Sequence, residues 1–248
     1  MTEISIKAEE LFHIGSFSVT NSFLLSVITL IVLLFVAVLV RRKISLIPDK
    51  LQSIFELLME WLLEVMDSVF GNRRMSERYF PLIATIFLFI MISNWFGLLP
   101  IVGSVGLHAV HDGNYAFVPL LRAPAADLNF TIALAIIAVL SVQFFGILAI
   151  GFFKHFSKYF TLKNPIFTFV GLLEFIAEFV KIISFSFRLF GNVFAGEVLL
   201  IIIGFLVPYG APLPFLFLEV FVGFIQAFIF AMLTMVFVAM AVNEDPAH

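Results

Sequence analysis

The chain has 248 residues, of which 62% are hydrophobic and only 12% are charged, and its formal net charge is −3. This composition excludes a soluble globular domain and is typical of an integral membrane protein. The sequence contains no cysteine, which excludes disulfides, thiolate chemistry and cysteine-based metal sites.

Five apolar runs follow one another along the chain, and each is long enough to cross a bilayer. They cover residues 22–40, 79–99, 128–153, 165–207 and 215–242. Residues 48–71 carry apolar side chains at helical spacing diluted by acids, which predicts an amphipathic helix at the membrane interface. The sequence therefore predicts an all-α integral membrane protein with about five transmembrane helices, forming a single membrane domain over residues 1–248.

The segments outside these runs are polar. Residues 1–21 contain Glu3, Glu9 and Glu10, so we expect a polar external lead-in rather than a signal peptide. Residues 101–127 are rich in glycine and proline and are expected to form a polar loop.

The fourth run, residues 165–207, is too long for one upright transmembrane helix. As a straight helix it would measure about 65 Å, whereas the hydrocarbon core of a bilayer is about 30 Å thick. We expect it to be strongly tilted, kinked or split into two pieces. Proline and glycine in residues 208–214 predict a tight turn, so that residues 165–242 form a long, tilted antiparallel hairpin of helices.

The distribution of lysine and arginine between the loops predicts the orientation. Cations are concentrated between the first and second runs and after the third run, whereas the 101–127 loop contains only Arg122 and the 208–214 turn contains none. Five spans with an external N-terminus and a cytoplasmic C-terminus place the loops that are rich in lysine and arginine in the cytoplasm.

A polar track interrupts the fourth run. On a helix that turns about 100° per residue, its members fall within a sector of roughly 80°. They are Glu174, Glu178, Lys181, Arg188 and Asn192. Ionisable side chains at membrane depth cost roughly 2.5–3.5 kcal/mol each at a helix centre, so a purely structural span is not expected to carry several. An arginine stays protonated at any useful pH and needs an anionic partner or water.

Two interpretations of Arg188 are open. It is a structural residue paired with a glutamate of the bundle, or a fixed cation that attracts a mobile carboxylate. The second is favoured because a local pair needs one glutamate and this helix has three. Small side chains around Arg188 let another helix approach closely, which suits packing within the hairpin and docking of a separate subunit equally well. They are Ser184, Gly191, Ala195 and Gly196.

Two carboxylates, Glu197 and Glu219, lie on the two arms of the hairpin toward the outer side of Arg188. Gln226 lies two turns after Glu219 on the same helix face. Carboxylic acids in low-dielectric surroundings exchange protons readily, which suits a relay. A buried acid kept neutral by a hydrogen bond is the alternative for each.

Glu174 and Glu178 lie toward the cytoplasmic side of the same helix. They suit a second, separate proton pathway. An ion pair with the nearby Lys181 is nearly as good an explanation of their presence.

The outer loop contains His108, His111 and Asp112. A metal site is conceivable there, but a solvated loop is favoured, so we predict no metal and no cofactor. Nucleotide-binding and protease motifs are absent from the sequence, and nothing in it indicates nucleic-acid binding.

Several stretches together resemble a known family. SFSFRLFGN, from Ser184 to Asn192, followed by Ala195, Gly196 and Glu197, resembles the signature of subunit a of F-type ATP synthases. NWFGLLP at 94–100, AADLNFT at 125–131 and QAFIF at 226–230 agree with it. The resemblance covers the chain from about residue 20 onward.

This resemblance implies a non-catalytic stator subunit beside a rotating ring of c subunits, with the peripheral-stalk subunit b as a further partner. It implies two offset half-channels for protons, or for sodium ions, in the plasma (inner) membrane of a bacterium, with the mitochondrial inner membrane as the alternative. The catalytic head of the complex, and not this chain, would perform ATP synthesis.

Matched residue by residue, Arg188 would be the family's essential arginine. The outer half-channel would be lined by Asn192, Glu197, Glu219 and Gln226. Glu174 and Ser184 match polar positions of the same helix. The family often pairs a glutamate with a histidine at the positions of Glu197 and Glu219, and both are glutamate here, so which of them is the main relay stays open.

Two other function classes fit the sequence less well. A self-contained proton-coupled secondary transporter predicts paired halves and broken helices in corresponding positions, and no internal repeat is visible. An intramembrane enzyme needs a convergent nucleophile or metal set, and the predicted spans contain no histidine.

Overall fold

A computed structural model describes residues 8–15, 17–45, 50–111, 114–157, 159 and 165–243. This part of the chain is mostly helical. Its elements are the strands β1 (Glu10–Ile14) and β2 (Phe17–Thr20), the helices α1 (Asn21–Lys43), α2 (Lys50–Phe70) and α3 (Arg73–Gly97), the strands β3 (Gly106–His111) and β4 (Asn114–Pro119), a short 3-10 helix (Pro124–Ala126), and the helices α4 (Leu128–Ile150), α5 (Phe152–Ser157), α6 (Pro165–Leu206) and α7 (Pro212–Asn243).

Five of these helices, α1, α3, α4, α6 and α7, are long and apolar enough to cross a membrane. The predicted all-α membrane fold with five spans is therefore confirmed. The amphipathic helix α2 lies between the first two spans and buries Leu62 and Met66 against the core.

The junction between α2 and α3 is short because two residues define it. Gly71 has a φ of 66°, which a side chain would strain, and its N–H closes α2 on the carbonyl of Asp67 at 2.9 Å. The Asn72 side chain then accepts from the N–H of Arg74 at 3.0 Å and caps α3. As a result α3 begins at Arg73, before the apolar run itself begins.

Two small hairpins lie where the sequence predicted polar segments without regular structure. Strand β1 pairs antiparallel with β2, and β3 pairs antiparallel with β4 from Gly106 opposite Pro119 to His111 opposite Asn114. The Asn21 side chain donates to the carbonyl of Pro119 at 3.3 Å and so ties the start of α1 to the second hairpin. Two-stranded ribbons are too short to leave a strong alternation in a sequence, so the pattern of residues does not reveal them.

The third span ends slightly earlier than its apolar run suggests. Gly151, with a φ of 95°, stops α4, and its N–H donates to the carbonyl of Ile147 at 2.9 Å. The chain then turns into α5, where His155 is buried.

Helix α6 is continuous over 42 residues, about 63 Å, so it is not split into two pieces. It is about twice as long as the hydrocarbon layer is thick. Helix α7 contacts it after a turn that contains Gly210, whose φ is 81°. The two form the predicted long hairpin.

Helix α7 lies at the centre of the bundle, whereas α6 lies at its edge. In their apolar windows, 50% of the α7 residues are buried, against 11% of the α6 residues. Aromatic rings from α2, α3 and α7 interlock, with Trp61 packing on Phe87, Phe224 and Phe228 at 5.3–6.4 Å between ring centroids. Van der Waals packing of this kind holds membrane helices together, because lipid tails are as apolar as the side chains.

Candidate functional site

Arg188 lies near the middle of α6 with its side chain exposed. Its Nη2 donates to the hydroxyl of Ser184 at 3.3 Å, and its backbone carbonyl accepts from the Asn192 amide at 2.9 Å. Within the residues that the structure describes, Arg188 forms no ion pair. The interpretation in which a glutamate of the bundle neutralises Arg188 therefore finds no support in that part of the chain.

Exposed residues at helical spacing form a continuous stripe on α6, which we name the Arg188 face. Its central members are Ser184, Phe187, Arg188, Gly191, Asn192 and Ala195. Three of these have very small side chains, so a neighbouring helix can approach the backbone of α6 closely on either side of the guanidinium.

The rotation of α6 that exposes this face is fixed by contacts of its buried side chains. Ser186 is fully buried and shares a hydrogen bond of 2.9 Å with Thr131 of α4. Phe185 stacks on Phe230 of α7, with ring centroids 4.8 Å apart. Because these two residues hold α6 against α4 and α7, the Arg188 side chain is kept on the outside of the bundle.

Glu219 of α7 is buried, and it lies directly against Gly196 of α6. A Cβ built on Gly196 would overlap the Glu219 carboxyl group, so the absence of a side chain at Gly196 is what admits this acid. Gln226 is also buried, two turns farther along the same face of α7. The resemblance to the family implies that Glu219 and Gln226 line the outer half-channel. In the structure, Glu219 contacts Gly196, which precedes Glu197 in the chain.

Helix α3 holds α7 beside Glu219. The Trp95 indole N–H donates to the carbonyl of Val220, and the Asn94 amide donates to the carbonyl of Gly223, each at 3.1 Å. Gly223 permits this close approach, because a Cβ there would lie 3.1 Å from the Cβ of Asn94. These bonds explain why the polar residues of the 94–100 stretch occur at the end of an apolar helix.

Glu197 meets a cation that the sequence did not assign to the site. The Nε of Arg122 lies 3.9 Å from Oε2 of Glu197, an ion-pair distance that is too long for a hydrogen bond. Arg122 is 8% exposed and precedes the 3-10 helix. The only signal in the sequence was that Arg122 is the single cation of the 101–127 loop.

The segment that carries Arg122 is held in place on both sides. Gly97 at the end of α3 packs on Ala123 so closely that a Cβ on the glycine would lie 2.6 Å from the Ala123 Cβ. Asp127 caps α4 by accepting from the N–H of Asn129 at 3.0 Å, and it accepts from the Ser22 hydroxyl at 2.6 Å. The Arg122 side chain is therefore presented to α6 by a fixed loop.

A second polar cluster lies ten residues before Arg188, about 15 Å along the axis of α6. The Lys181 ammonium donates to Oε1 of Glu178 at 2.8 Å, so the ion pair considered for Glu178 is formed. The Tyr159 hydroxyl lies 3.4 Å from the same oxygen and 3.4 Å from Oε1 of Gln143, which in turn lies 2.6 Å from Nε2 of His155. No signal in the sequence marked Tyr159, Gln143 or His155 as part of a site.

A pocket of about 140 Å³ adjoins this cluster. Polar side chains from two helices meet apolar ones from α7 in its wall. The lining residues are Val142, Gln143, Glu174, Ala177, Glu178, Lys181, Phe237, Met240 and Ala241. The structure thus brings Glu174, Glu178 and Lys181 together, away from Glu197 and Glu219.

The histidines of the outer loop lie in or beside the second hairpin. His108 and His111 belong to β3, and their side chains, like residue Asp112, lie outside the described residues. In the part of the chain that the structure describes, no group of three or more His, Cys, Asp or Glu residues is arranged to hold a metal ion.

Comparison with known proteins adds to this geometry. A family model described as "ATP synthase A chain" matches residues 23–239. The chain is 33% identical to ATP synthase subunit a of Helicobacter pylori, over 90% of this chain and 89% of the relative. It is 34% identical to ATP synthase subunit a of Campylobacter jejuni subsp. doylei (96% and 91%) and 32% identical to that of Moorella thermoacetica (94% and 96%).

Proposed function

The chain belongs to the ATP synthase A chain family, and from this premise we propose that Arg188 separates two proton half-channels and couples proton flow to rotation of a ring of c subunits. The chain is a stator subunit of the ATP synthase membrane sector and takes part in proton translocation.

The observation that carries the proposal is the position of Arg188. Its guanidinium is exposed on the Arg188 face and forms no ion pair with the described residues of its own chain. A permanent cation at membrane depth needs an anionic partner or water. A carboxylate on a neighbouring c subunit meets that need, and the small side chains of Ser184, Gly191 and Ala195 let the ring helix come close enough.

The outer half-channel runs along the side of the hairpin that holds Gln226, Glu219, Glu197 and Asn192. A proton enters from outside, passes from Glu219 to Glu197, and neutralises the ring carboxylate, which can then face lipid. Arg122 stands beside Glu197, so the charge of the relay carboxylate is balanced between successive protons.

The inner half-channel runs past the pocket lined by Glu174 and Glu178. When rotation brings a protonated ring carboxyl group to Arg188 from the other side, the cation favours its ionised form. The proton leaves through this pocket. Because Arg188 lies between the two groups of acids, it also prevents protons from passing directly from one half-channel to the other.

We place the chain in the inner membrane of a bacterium, with its N-terminus and the 101–127 loop outside and its C-terminus in the cytoplasm. In this orientation the loops that are rich in lysine and arginine lie on the cytoplasmic side, as is usual for membrane proteins. The mitochondrial inner membrane is the alternative location. The partners are the c-subunit ring and the subunit b peripheral stalk, and the coupling ion is the proton, with sodium as the alternative. The chain itself performs no bond chemistry.

Cysteine cross-linking tests the proposed ring interface, because the natural sequence has no cysteine. Ala195→Cys, on the Arg188 face, should form a disulfide with a cysteine introduced next to the ring carboxylate of subunit c. Ala231→Cys, which is 1% exposed inside the bundle, is the matched control and should not. Equal cross-linking from both positions, or none from Ala195→Cys in the assembled complex, would contradict the proposed interface.

A further inference from the structure

We propose that Tyr159, supported by Gln143 and His155, is a positioning residue that holds Glu178 as the proton acceptor of the inner half-channel. This inference rests on the proposed function, and it assigns a role to three residues that the resemblance to the family does not mark. It depends on how the two oxygens of Glu178 differ.

The two carboxylate oxygens of Glu178 are in different surroundings. Oε1 accepts from the Lys181 ammonium at 2.8 Å and lies 3.4 Å from the Tyr159 hydroxyl. Oε2 is buried and has no hydrogen-bond partner among the residues that the structure describes. One oxygen is therefore anchored and the other is left to take a proton, while Glu178 lines the pocket.

Gln143 helps to hold the Tyr159 hydroxyl in place beside Glu178. That hydroxyl lies 3.4 Å from Oε1 of Gln143 and 3.4 Å from Oε1 of Glu178, and it has one proton to donate. His155 holds the Gln143 side chain through a shorter contact of 2.6 Å between Nε2 of His155 and Oε1 of Gln143. Of the two acceptors, the Glu178 carboxylate is the charged and stronger one.

The support for Tyr159 is built into the packing of α4 and α5. The imidazole of His155 fills the space beside Gly146, where a Cβ would lie 2.6 Å from its Cε1. His155 is 1% exposed and Tyr159 is 6% exposed. The tyrosine ring also meets Phe175 of α6 edge-on, with centroids 6.1 Å apart. The phenol is therefore held between α5 and the helix that carries Glu178.

The proposed step is a simple proton transfer. The O–H bond of the ring carboxylic acid breaks near Arg188, and through intervening water a proton is added to Oε2 of Glu178. The new O–H bond then breaks as the proton passes to cytoplasmic water, which restores the carboxylate. Throughout, Lys181 and Tyr159 keep Oε1 in place, so Oε2 stays the acceptor oxygen.

Among the described residues, the elements around Glu178 contribute few titratable groups. Helix α6 contributes Glu174 and Lys181, the segment from α5 onward contributes His155 and Tyr159, and α4 contributes the uncharged Gln143. The α7 residues at the pocket carry no titratable group. Within the part of the chain that the structure describes, a change in the rate–pH profile on this side therefore reports on these groups.

The test measures ATP-driven proton pumping in inverted vesicles, in which the cytoplasmic surface faces the medium. Tyr159→Phe keeps the ring contacts and removes the hydroxyl, and we expect pumping to fall severalfold with normal assembly, because Oε1 of Glu178 loses one of its two contacts. We expect the pumping rate to follow a shifted profile against medium pH and an unchanged profile against lumenal pH. Tyr79→Phe removes a hydroxyl from another buried tyrosine and should leave both profiles unchanged.

Two further variants separate positioning from a structural role. Because Tyr159 acts through Glu178, Tyr159→Phe should add little to the effect of Glu178→Gln, whereas independent sites add. Gln143→Leu, of similar size, should reproduce the shifted profile of Tyr159→Phe. Wild-type pumping and pH profile in Tyr159→Phe, or full additivity with Glu178→Gln, would overturn the inference.

The same vesicles distinguish failure of this inference from failure of the proposed function. If Arg188→Ala abolishes pumping while Tyr159→Phe pumps normally, only the role of Tyr159 is wrong. If Arg188→Ala pumps normally, the proposed function itself is wrong and the inference is lost with it.

Discussion

The carboxyl group of Glu219 occupies the space that a side chain on Gly196 would fill. This relationship joins the two arms of the hairpin at the level of the outer acids. Glycine is needed there because α7 brings the Glu219 carboxyl group into contact with the backbone of α6.

We expect Gly196→Ala to displace the Glu219 carboxyl group and to lower ATP-driven pumping severalfold. Because the displaced group is the far end of a flexible side chain, we expect the thermal stability of the purified complex to change little. Gly204→Ala on the same helix is the control, since a Cβ there meets nothing within 4 Å. Equal pumping by the two variants would contradict the requirement for glycine.

Replacement of the outer acids tests the relay. Glu197→Gln and Glu219→Gln keep the size and remove the ionisable proton, so each should slow proton flux without preventing assembly. Pumping is measured by the quenching of a pH-sensitive dye in inverted vesicles, and assembly by copurification with subunit c. If both variants pump at the wild-type rate, neither acid is a relay. If one replacement is more damaging than the other, it identifies the main relay.

The Arg122–Glu197 pair predicts a coupling between the outer loop and α6. Arg122→Gln leaves Glu197 without the cation that lies 3.9 Å away, which should slow pumping. The double variant with Glu197→Gln should be less damaging to thermal stability than the sum of the single changes, by an interaction of about 0.5–3 kcal/mol. Simple additivity would show that the two side chains do not interact in the complex.

The predicted orientation can be tested with single cysteines in an otherwise cysteine-free chain. Tyr209 in the turn between α6 and α7 and Phe153 in α5 are highly exposed. A membrane-impermeant thiol reagent should label Tyr209→Cys in intact cells and Phe153→Cys only in inverted vesicles. The opposite pattern would contradict an external N-terminus and a cytoplasmic C-terminus.

The sequence was sufficient for the spans and insufficient for what lies between them. Apolar length alone predicted the five membrane helices, since backbone in lipid must satisfy its own hydrogen bonds. The hairpins β1–β2 and β3–β4 were not predicted, because strands of four to six residues leave no clear pattern. The sequence also left open whether residues 165–207 form one helix, because the length of an apolar run does not show whether the helix is interrupted.

The candidate site was likewise only partly predictable from the sequence. Arg188 and the acids of the hairpin stand out from their apolar neighbours, so the sequence marks them. Arg122 and Tyr159 do not stand out, because they lie in polar connecting segments where a charged or aromatic residue is ordinary. Only the fold shows that Arg122 reaches Glu197 and that Tyr159 reaches Glu178.

Arg188→Ala in inverted vesicles tests the central claim most directly. We expect that ATP synthesis and ATP-driven pumping are lost, that the complex still assembles, and that passive proton conductance through the membrane sector persists or rises, because the cation between the half-channels is gone. Arg188→Lys should fail too, since a lysine lacks the planar fork and can lose its proton. Wild-type pumping in Arg188→Ala would contradict the mechanism, and loss of assembly would instead assign Arg188 a structural role.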